Sequence, residues 1–187
     1  MGTRSLIAVQ LDGEYKIAQY SQWDGYPDGQ GLDCLNFLCT YMVEHKFKQE
    51  LRNLKMIQTE EQRNAISSLY KDGTYFPKFD RDTGSKILEL VQDGKTTSGC
   101  VANNIGFAAC CDCFGCEYAW VIDLDKRTFE AYEGYNQTLL EENDRFYFLQ
   151  LYRKPDGYYP VRKVAEWSLS NLPTKDEFLK AFTEDKE

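Results

Sequence analysis

A loop rich in aromatic, amide and carboxylate side chains is the part of this sequence best equipped to bind a ligand. It covers residues 19–31 and has three glycines in its last seven residues. A planar ring can stack on an exposed Trp or Tyr while neighbouring amides read its polar edges, which suits a nucleobase. We therefore predict a ligand-binding site that includes one cation able to pair with an anionic group. Its predicted members are Arg4, Gln19, Tyr20, Gln22, Trp23, Asp24, Tyr26 and Gln30.

The alternative for this loop is a structural role. The dipeptide Asp24-Gly25 favours a tight turn, and Trp23 can equally serve as a plug of the core. Arg4 can pair with Asp24 and hold the loop, or it can stay available to an anionic ligand. The sequence alone leaves these alternatives open.

Five of the seven cysteines lie within 17 residues, from Cys100 to Cys116. Cys113 and Cys116 have the spacing of a zinc knuckle, in which a tight turn directs two thiolates at one tetrahedral ion. Cys100, with Cys110 or Cys111, can supply two more sulfurs. We predict Cys100, Cys110, Cys113 and Cys116 as a candidate structural zinc site. Zinc is the only cofactor that the sequence suggests. The alternatives are buried thiols that fill an apolar corner and redox-active thiols.

The sequence lacks the common catalytic motifs. Its one histidine, His45, lies beside Lys46, where a solvated position near a helix end suits it better than the role of a general base. No phosphate-binding loop, nucleophile elbow or HExxH zinc motif occurs. We therefore favour a binding protein over an enzyme and assign no catalytic residue.

Composition narrows the class of protein. The chain, residues 1–187, fits one domain and carries 22 Lys and Arg against 30 Asp and Glu, a formal net charge of −8. That balance disfavours a groove that follows a nucleic-acid backbone, because such a groove needs clustered cations. No apolar run reaches the roughly 18–20 residues of a membrane span, and the amino terminus lacks a signal-peptide pattern. We expect a cytoplasmic protein with reduced cysteines and no membrane attachment.

The order of predicted elements indicates an α+β fold. Asp12-Gly13 between two apolar runs predicts a β-hairpin with a type I′ turn. Two further hairpins are predicted, one turning at residues 125–127 and one joining 145–152 to 158–167. Helical spacing predicts about four helices, beginning near residues 32, 59, 83 and 173. Strands that come in hairpins favour an antiparallel sheet, either open or packed as a sandwich.

Four stretches near the amino terminus are distinctive, at residues 1–4, 12–20, 22–27 and 29–31. Together they resemble a family of small proteins from phages, bacteria and fungi that has no established activity. A looser similarity covers residues 84–90 and 118–133, and Ser21 departs from the glycine expected there. The resemblance implies a recurring domain with a marked amino-terminal motif. A phage origin would imply a role in blocking host defence, inside the host cytoplasm.

A fainter similarity is to the scaffold of amidohydrolases that use an amino-terminal nucleophile. Those enzymes start with a Met-Cys-Thr-Arg-like sequence, and loss of Met frees the nucleophilic Cys. Here Gly2 carries no nucleophile, and Thr3 would require the removal of two residues. The similarity implies a sandwich-like scaffold and, as an alternative function, a hydrolase that uses Asp24 or a thiol.

We predict a non-catalytic binding protein of the kind with which a phage inhibits host defence. It would hold a nucleotide-like ligand or a host protein at the surface formed by residues 4–31. The alternatives are the hydrolase and a zinc-stabilised protein-interaction domain. A homo-oligomer is compatible with each of these predictions.

Overall fold

The computed structural model shows a five-stranded sheet with helices packed against it. It describes residues 2–57, 61, 81–96, 100–109, 115–150 and 157–183. The helix predicted to begin near residue 59 falls almost wholly outside these residues. Within them, no helix combines the length and the apolar character needed to cross a membrane.

The large sheet combines antiparallel pairs with one parallel pair. The strands of the described chain are β1 (Ser5–Leu11), β2 (Glu14–Ser21), β3 (Lys55–Ile57), β4 (Cys100–Ala102), β5 (Tyr118–Asp123), β6 (Thr128–Glu133) and β7 (Arg162–Ser168). Five of them form the large sheet in the order β2-β1-β5-β6-β7, and β3 pairs with β4 in a small parallel sheet. β1 runs parallel to β5, whereas the other pairs of the large sheet are antiparallel. The α+β class is confirmed, and the sheet is mixed rather than wholly antiparallel.

Short α-helices accompany the sheet in a number close to the predicted four. In the described residues they are α1 (Leu32–Asn36), α2 (Glu44–Asn53), α3 (Lys86–Gln92), α4 (Tyr147–Gln150) and α5 (Lys175–Lys180). Wide π-type turns flank α1, at Pro27–Gly31 before it and Phe37–Tyr41 after it. Thr174 caps α5, because its hydroxyl accepts from the N–H of Glu177 while the Glu177 carboxylate accepts from the N–H of Thr174.

The β1–β2 hairpin forms as the sequence predicts. Asp12 and Gly13 have φ values of 56° and 76°, the positive angles that a type I′ turn requires. The Asp125 carboxylate accepts hydrogen bonds from both of their backbone N–H groups, at 2.8 and 2.9 Å. The turn after β5 is therefore tied to the turn after β1, which supports the parallel register of these two strands.

Both faces of the large sheet are covered, because successive side chains of a strand point to opposite faces. One face carries Trp120 and Phe129 and packs against α1, α2, α3 and the Phe178 ring of α5. The other face carries Val121 and packs against Phe146 and its neighbours. Within the described residues the fold is an open sheet between two apolar layers rather than a sandwich of two large sheets.

The hairpin predicted to join residues 145–152 to 158–167 is wrong over the described residues. Tyr147–Gln150 form α4, and β7 pairs with β6 instead. Phe146 is fully buried, and Leu149, three residues later, packs against the same core. That spacing belongs to a helical turn rather than to a strand.

The Ser5 hydroxyl offers a test of packing at the start of β1. It is fully buried and has no hydrogen-bond partner among the described residues. An unsatisfied buried polar group costs about 1–3 kcal/mol, so we expect Ser5→Ala to raise the free energy of unfolding by about 1 kcal/mol in urea denaturation. Ser21→Ala is the matched control, because the equally buried Ser21 hydroxyl donates to the Trp23 carbonyl at 3.0 Å, and its loss should destabilise the protein. A loss of stability in Ser5→Ala equal to that in Ser21→Ala would contradict this assignment.

Candidate functional site

The motif loop, residues 22–31, connects β2 to α1 and is held by backbone hydrogen bonds. The N–H of Gly25 donates to the Thr3 carbonyl at 2.9 Å, which ties the loop to the start of the chain. The N–H of Gln30 donates to the Asp24 carbonyl at 2.8 Å, which closes the loop on itself. The loop is therefore a fixed platform at the end of the sheet where β2 ends and β1 and β5 begin.

Two glycines of the loop allow these close backbone approaches. A Cβ atom on Gly29 would lie 2.3 Å from the Asp24 carbonyl oxygen, and one on Gly25 would lie 2.8 Å from the Thr3 carbonyl oxygen. Both distances are shorter than non-bonded atoms tolerate. The glycines in the motif are thus required by contact within the chain.

A second segment, residues 81–85, braces the motif loop from outside. Three hydrogen bonds join the two: from the N–H of Gln22 to the Arg81 carbonyl (2.8 Å), from Trp23 Nε1 to the Asp82 carboxylate (2.8 Å) and from the N–H of Ser85 to Gln30 Oε1 (2.5 Å). We call residues 81–85 the brace segment. Because it fixes the Trp23 indole through its N–H, the orientation of that ring is set before any ligand arrives.

The amide side chains predicted to read a ligand are engaged within the chain. Gln19 is buried, and its Nε2 donates to the Tyr20 carbonyl at 2.8 Å. Gln22 Oε1 accepts from the Tyr20 hydroxyl at 2.5 Å, and the Tyr20 ring packs edge-on against Phe107. These contacts, with the one from Gln30 to the brace segment, hold the loop in place.

Arg4 lies beneath the loop and pairs with Glu117 rather than with Asp24. Its side chain is 5% exposed, and Glu117 Oε1 accepts from its Nε and Nη2 at 3.3 Å and from its backbone N–H at 3.1 Å. The carboxylate thus neutralises the guanidinium. The predicted pair of Arg4 with Asp24 is therefore wrong, and Glu117 holds Arg4 instead.

Two aromatic side chains of the loop face solvent. Trp23 is 47% exposed and Tyr26 is 51% exposed, so the interpretation of Trp23 as a core plug is wrong. The Trp23 ring lies against Gly2, where a Cβ atom would come within 2.2 Å of it. The Tyr26 ring lies 6.3 Å from that of Tyr118, measured between centroids. The structure therefore leaves both predicted stacking platforms accessible.

Carboxylates alternate with these rings along the loop. Asp24 and Asp28 are exposed, and within the described part of the chain neither has an ion-pair partner. We call Trp23, Asp24, Tyr26 and Asp28 the motif surface. It combines aromatic area with two negative charges.

Tyr118 is partly buried next to the motif surface, and carboxylates lie near its hydroxyl. Burial raises the pKa of its hydroxyl to about 12, and the carboxylates of Glu133, Glu117 and Asp28 add to that shift. A tyrosine resists ionisation where negative charge is already close. Carboxylates thus lie beside the motif surface as well as on it, which disfavours a phosphate there.

The predicted zinc site falls mainly outside the described residues. Cys110 and Cys113 lie there, as does the side chain of Cys100. Cys116 is buried, and its thiol donates a hydrogen bond to the Tyr118 carbonyl at 3.1 Å. Among the described residues no group of three or more potential ligands is arranged to hold a metal ion. The zinc site stays a prediction.

Two described thiols, Cys34 and Cys39, lie in surroundings that disfavour the thiolate. Burial raises the pKa of Cys34, which is completely enclosed, and also that of the more exposed Cys39. A nucleophilic cysteine needs a lowered pKa from a nearby cation or base. His45 is exposed on α2. Cys34 and Cys39 therefore do not supply the nucleophile that the hydrolase alternative needs.

A buried cluster of charged groups was not anticipated from the sequence. Arg145 Nε and Nη2 donate to the two carboxylate oxygens of Glu130 at 2.7 and 2.6 Å, and Nη2 lies 2.5 Å from Asp123 Oδ2. Gln10 accepts from the same guanidinium, and the Tyr132 hydroxyl donates to Glu130. All three charged side chains are at most 7% exposed. The cluster joins β1, β5 and β6 to the segment that precedes α4.

One sequence signal for this cluster exists. Asp123 follows Val121 by two residues in one predicted strand, and Glu130 lies opposite Val121 in the next. Both carboxylates therefore face the same side as apolar Val121. Carboxylates on an inward face require a buried cation, because an unpaired charge is too costly there. The identity of that cation could not be read from spacing, since Arg145 comes 15 residues after Glu130.

A cavity of about 480 Å³ opens at the opposite end of β2. Its lining includes Tyr15, Leu54, Met56 and Ile105. None of the residues predicted as ligand-binding contributes to it. The motif surface and this cavity are therefore separate features.

Comparisons of the chain with protein-family models, with curated proteins and with solved structures found no match.

Proposed function

We propose that this is a non-catalytic binding protein that holds a protein partner on the motif surface. The resemblance of its amino-terminal motif to small phage proteins supports a role as a phage-type inhibitor of host defence. Such an inhibitor acts by sequestering its target, so a rigid recognition surface is all that it needs.

One observation carries the proposal: two large aromatic side chains are half exposed on a loop whose backbone is fixed. Trp23 and Tyr26 stay in solvent while the amide side chains of Gln22 and Gln30 bond within the chain. Trp and Tyr dominate the energetics of protein interfaces, because they bury a large area and lose little side-chain entropy. The bracing lowers that entropy cost further.

The electrostatics favour a protein over a nucleotide. A nucleotide would gain stacking on Trp23 or Tyr26, but its phosphate would lie near Asp24 and Asp28. The cation predicted to bind that phosphate, Arg4, is buried and neutralised by Glu117. A nucleotide is therefore the competing outcome of the experiment below.

The experiment is affinity capture from a host-cell extract, followed by native mass spectrometry of the purified protein with a nucleotide pool. We expect a partner captured by the wild-type protein, with capture reduced at least ten-fold by Trp23→Ala and by Tyr26→Ala. Leu139→Ala is the control, because Leu139 is 64% exposed outside the motif surface, and it should leave capture unchanged. Equal capture by all variants would refute the proposed surface. A nucleotide adduct abolished by Trp23→Ala would replace the protein partner with a nucleotide.

A further inference from the structure

We propose that the group recognised by the motif surface is cationic: an arginine-bearing basic segment of the partner protein. This inference rests on the proposed function and specifies the chemistry of the partner. The guanidinium would lie over an aromatic face of the motif surface, between its two carboxylates.

The first support is the order of residues along the loop. Trp23, Asp24, Tyr26 and Asp28 alternate aromatic and acidic side chains, and all four are exposed. Asp24 has a φ of 53°, a left-handed conformation that Asp tolerates better than most residues. The fixed backbone therefore presents both kinds of side chain together.

The second support is that the two carboxylates of the motif surface are not neutralised by the described part of the chain. In the part of the chain that the structure describes, no ion pair neutralises Asp24 or Asp28. The nearby Arg4 is buried with Glu117. The whole chain has a net charge of −8, so its longer-range field has the same sign. A basic segment would be attracted from a distance and would find two partners on arrival.

The third support is the match between a guanidinium and this pair of groups. A cation over the face of an aromatic ring is attracted by the quadrupole of the ring, and Trp is the strongest such partner. Arginine is planar, stacks on aromatic rings and donates two parallel hydrogen bonds to a carboxylate. Asp82 holds the Trp23 indole by its N–H, at the edge of the ring, and the ring stays 47% exposed.

Isothermal titration of the full-length protein with synthetic peptides tests the inference. The probe is an acetylated, amidated pentapeptide with alternating Gly and Arg. Its neutral match carries citrulline in place of each Arg, and GMP serves as the anionic probe. We expect the Arg peptide to bind at least ten-fold more tightly than the citrulline peptide, and GMP to bind more weakly than either.

Two charge variants locate the effect. The double variant Asp24→Asn, Asp28→Asn should weaken the Arg peptide at least five-fold and remove most of its dependence on salt concentration. Asn also accepts the positive φ at position 24, so the loop should keep its shape. Glu142→Gln, which removes an exposed charge elsewhere, should leave binding unchanged.

The outcomes separate this inference from the proposed function. Equal affinity for the Arg and citrulline peptides, or tighter binding of GMP, would overturn the basic-segment inference. If capture of a partner still depended on Trp23 and Tyr26, the proposed function would stand without the basic-segment inference. If that capture were also insensitive to both aromatic variants, both ideas would fall.

Discussion

Replacing Arg145 by Met is expected to lower the free energy of unfolding by about 3–5 kcal/mol. The substitution keeps much of the side-chain volume but leaves the carboxylates of Asp123 and Glu130 buried without a cation. Removing one partner of a buried ion pair costs that much, because the remaining charge has neither water nor a counter-ion. Urea denaturation at pH 7 would measure the loss.

The loss should shrink as the pH falls. Burial opposes the charge on Glu130, but hydrogen bonds from Arg145 and Tyr132 outweigh it and lower the pKa of the carboxyl below its ordinary value of 4.5. The wild-type protein therefore has this stabilisation in full above pH 4.5 and loses it as the pH falls through the lowered pKa. In the Arg145→Met variant, protonation of the unpaired carboxylates at low pH removes their buried charge and stabilises the fold. The difference in stability from wild type is therefore largest at neutral pH.

Two further variants make the Arg145 prediction specific. Adding Glu130→Gln to Arg145→Met should recover part of the stability, because it removes one uncompensated charge. Arg52→Met disrupts an exposed two-bond pair with Asp12 and should have a far smaller effect, because solvent screens that pair. A cost of Arg145→Met as small as that of Arg52→Met would show that the cluster is not a buried ion network.

The second large effect is expected from Gly29→Ala. The added Cβ atom would lie 2.3 Å from the Asp24 carbonyl oxygen, the acceptor of the Gln30 N–H. The loop must open to relieve this contact, at a cost of about 1–3 kcal/mol, as for other overpacked sites. We expect partner capture to fall at least ten-fold while the circular dichroism spectrum of the sheet is retained.

Gly106→Ala is the control for Gly29→Ala. A Cβ atom at Gly106 meets no atom of the described residues within 4 Å, so this variant should keep both stability and binding. If Gly29→Ala kept wild-type capture, the shape of the motif loop would be irrelevant to function. That result would contradict the requirement for glycine at position 29 of the motif loop.

Local signals in the sequence were sufficient for part of the fold. The Asp12-Gly13 turn and the strand pair β5–β6 involve neighbours in the chain, so alternation and turn chemistry predict them. The parallel pairing of β1 with β5 joins residues more than 100 positions apart, and no local pattern encodes it. The hairpin from residues 145–152 was predicted around the turn-forming residues 154–157, and the apolar run at 146–149 fits a strand or a helix equally well. Phe146 and Leu149 pack with helical spacing instead.

The candidate site was likewise predictable in part, from local residues but not from their distant partners. Spacing and residue type marked Trp23 and Tyr26 as potential platforms, and both are exposed. The contacts that hold them come from distant residues, with Asp82 bonding Trp23 and Glu117 bonding Arg4. Because these partners lie 59 and 113 residues away, the sequence could not assign Arg4 to the interior or the brace segment to the loop.

The most direct test of the central claim is the response of the tryptophan indole N–H signals in a ¹H–¹⁵N NMR titration with the Arg peptide. The protein has three tryptophans, of which Trp120 is fully buried and Trp167 lies in β7. We expect the Trp23 signal, assigned by its loss in Trp23→Phe, to shift while the other two stay in place. Shifts confined to Trp120 or Trp167, or a Trp23 signal unmoved at saturating peptide, would contradict binding at the motif surface.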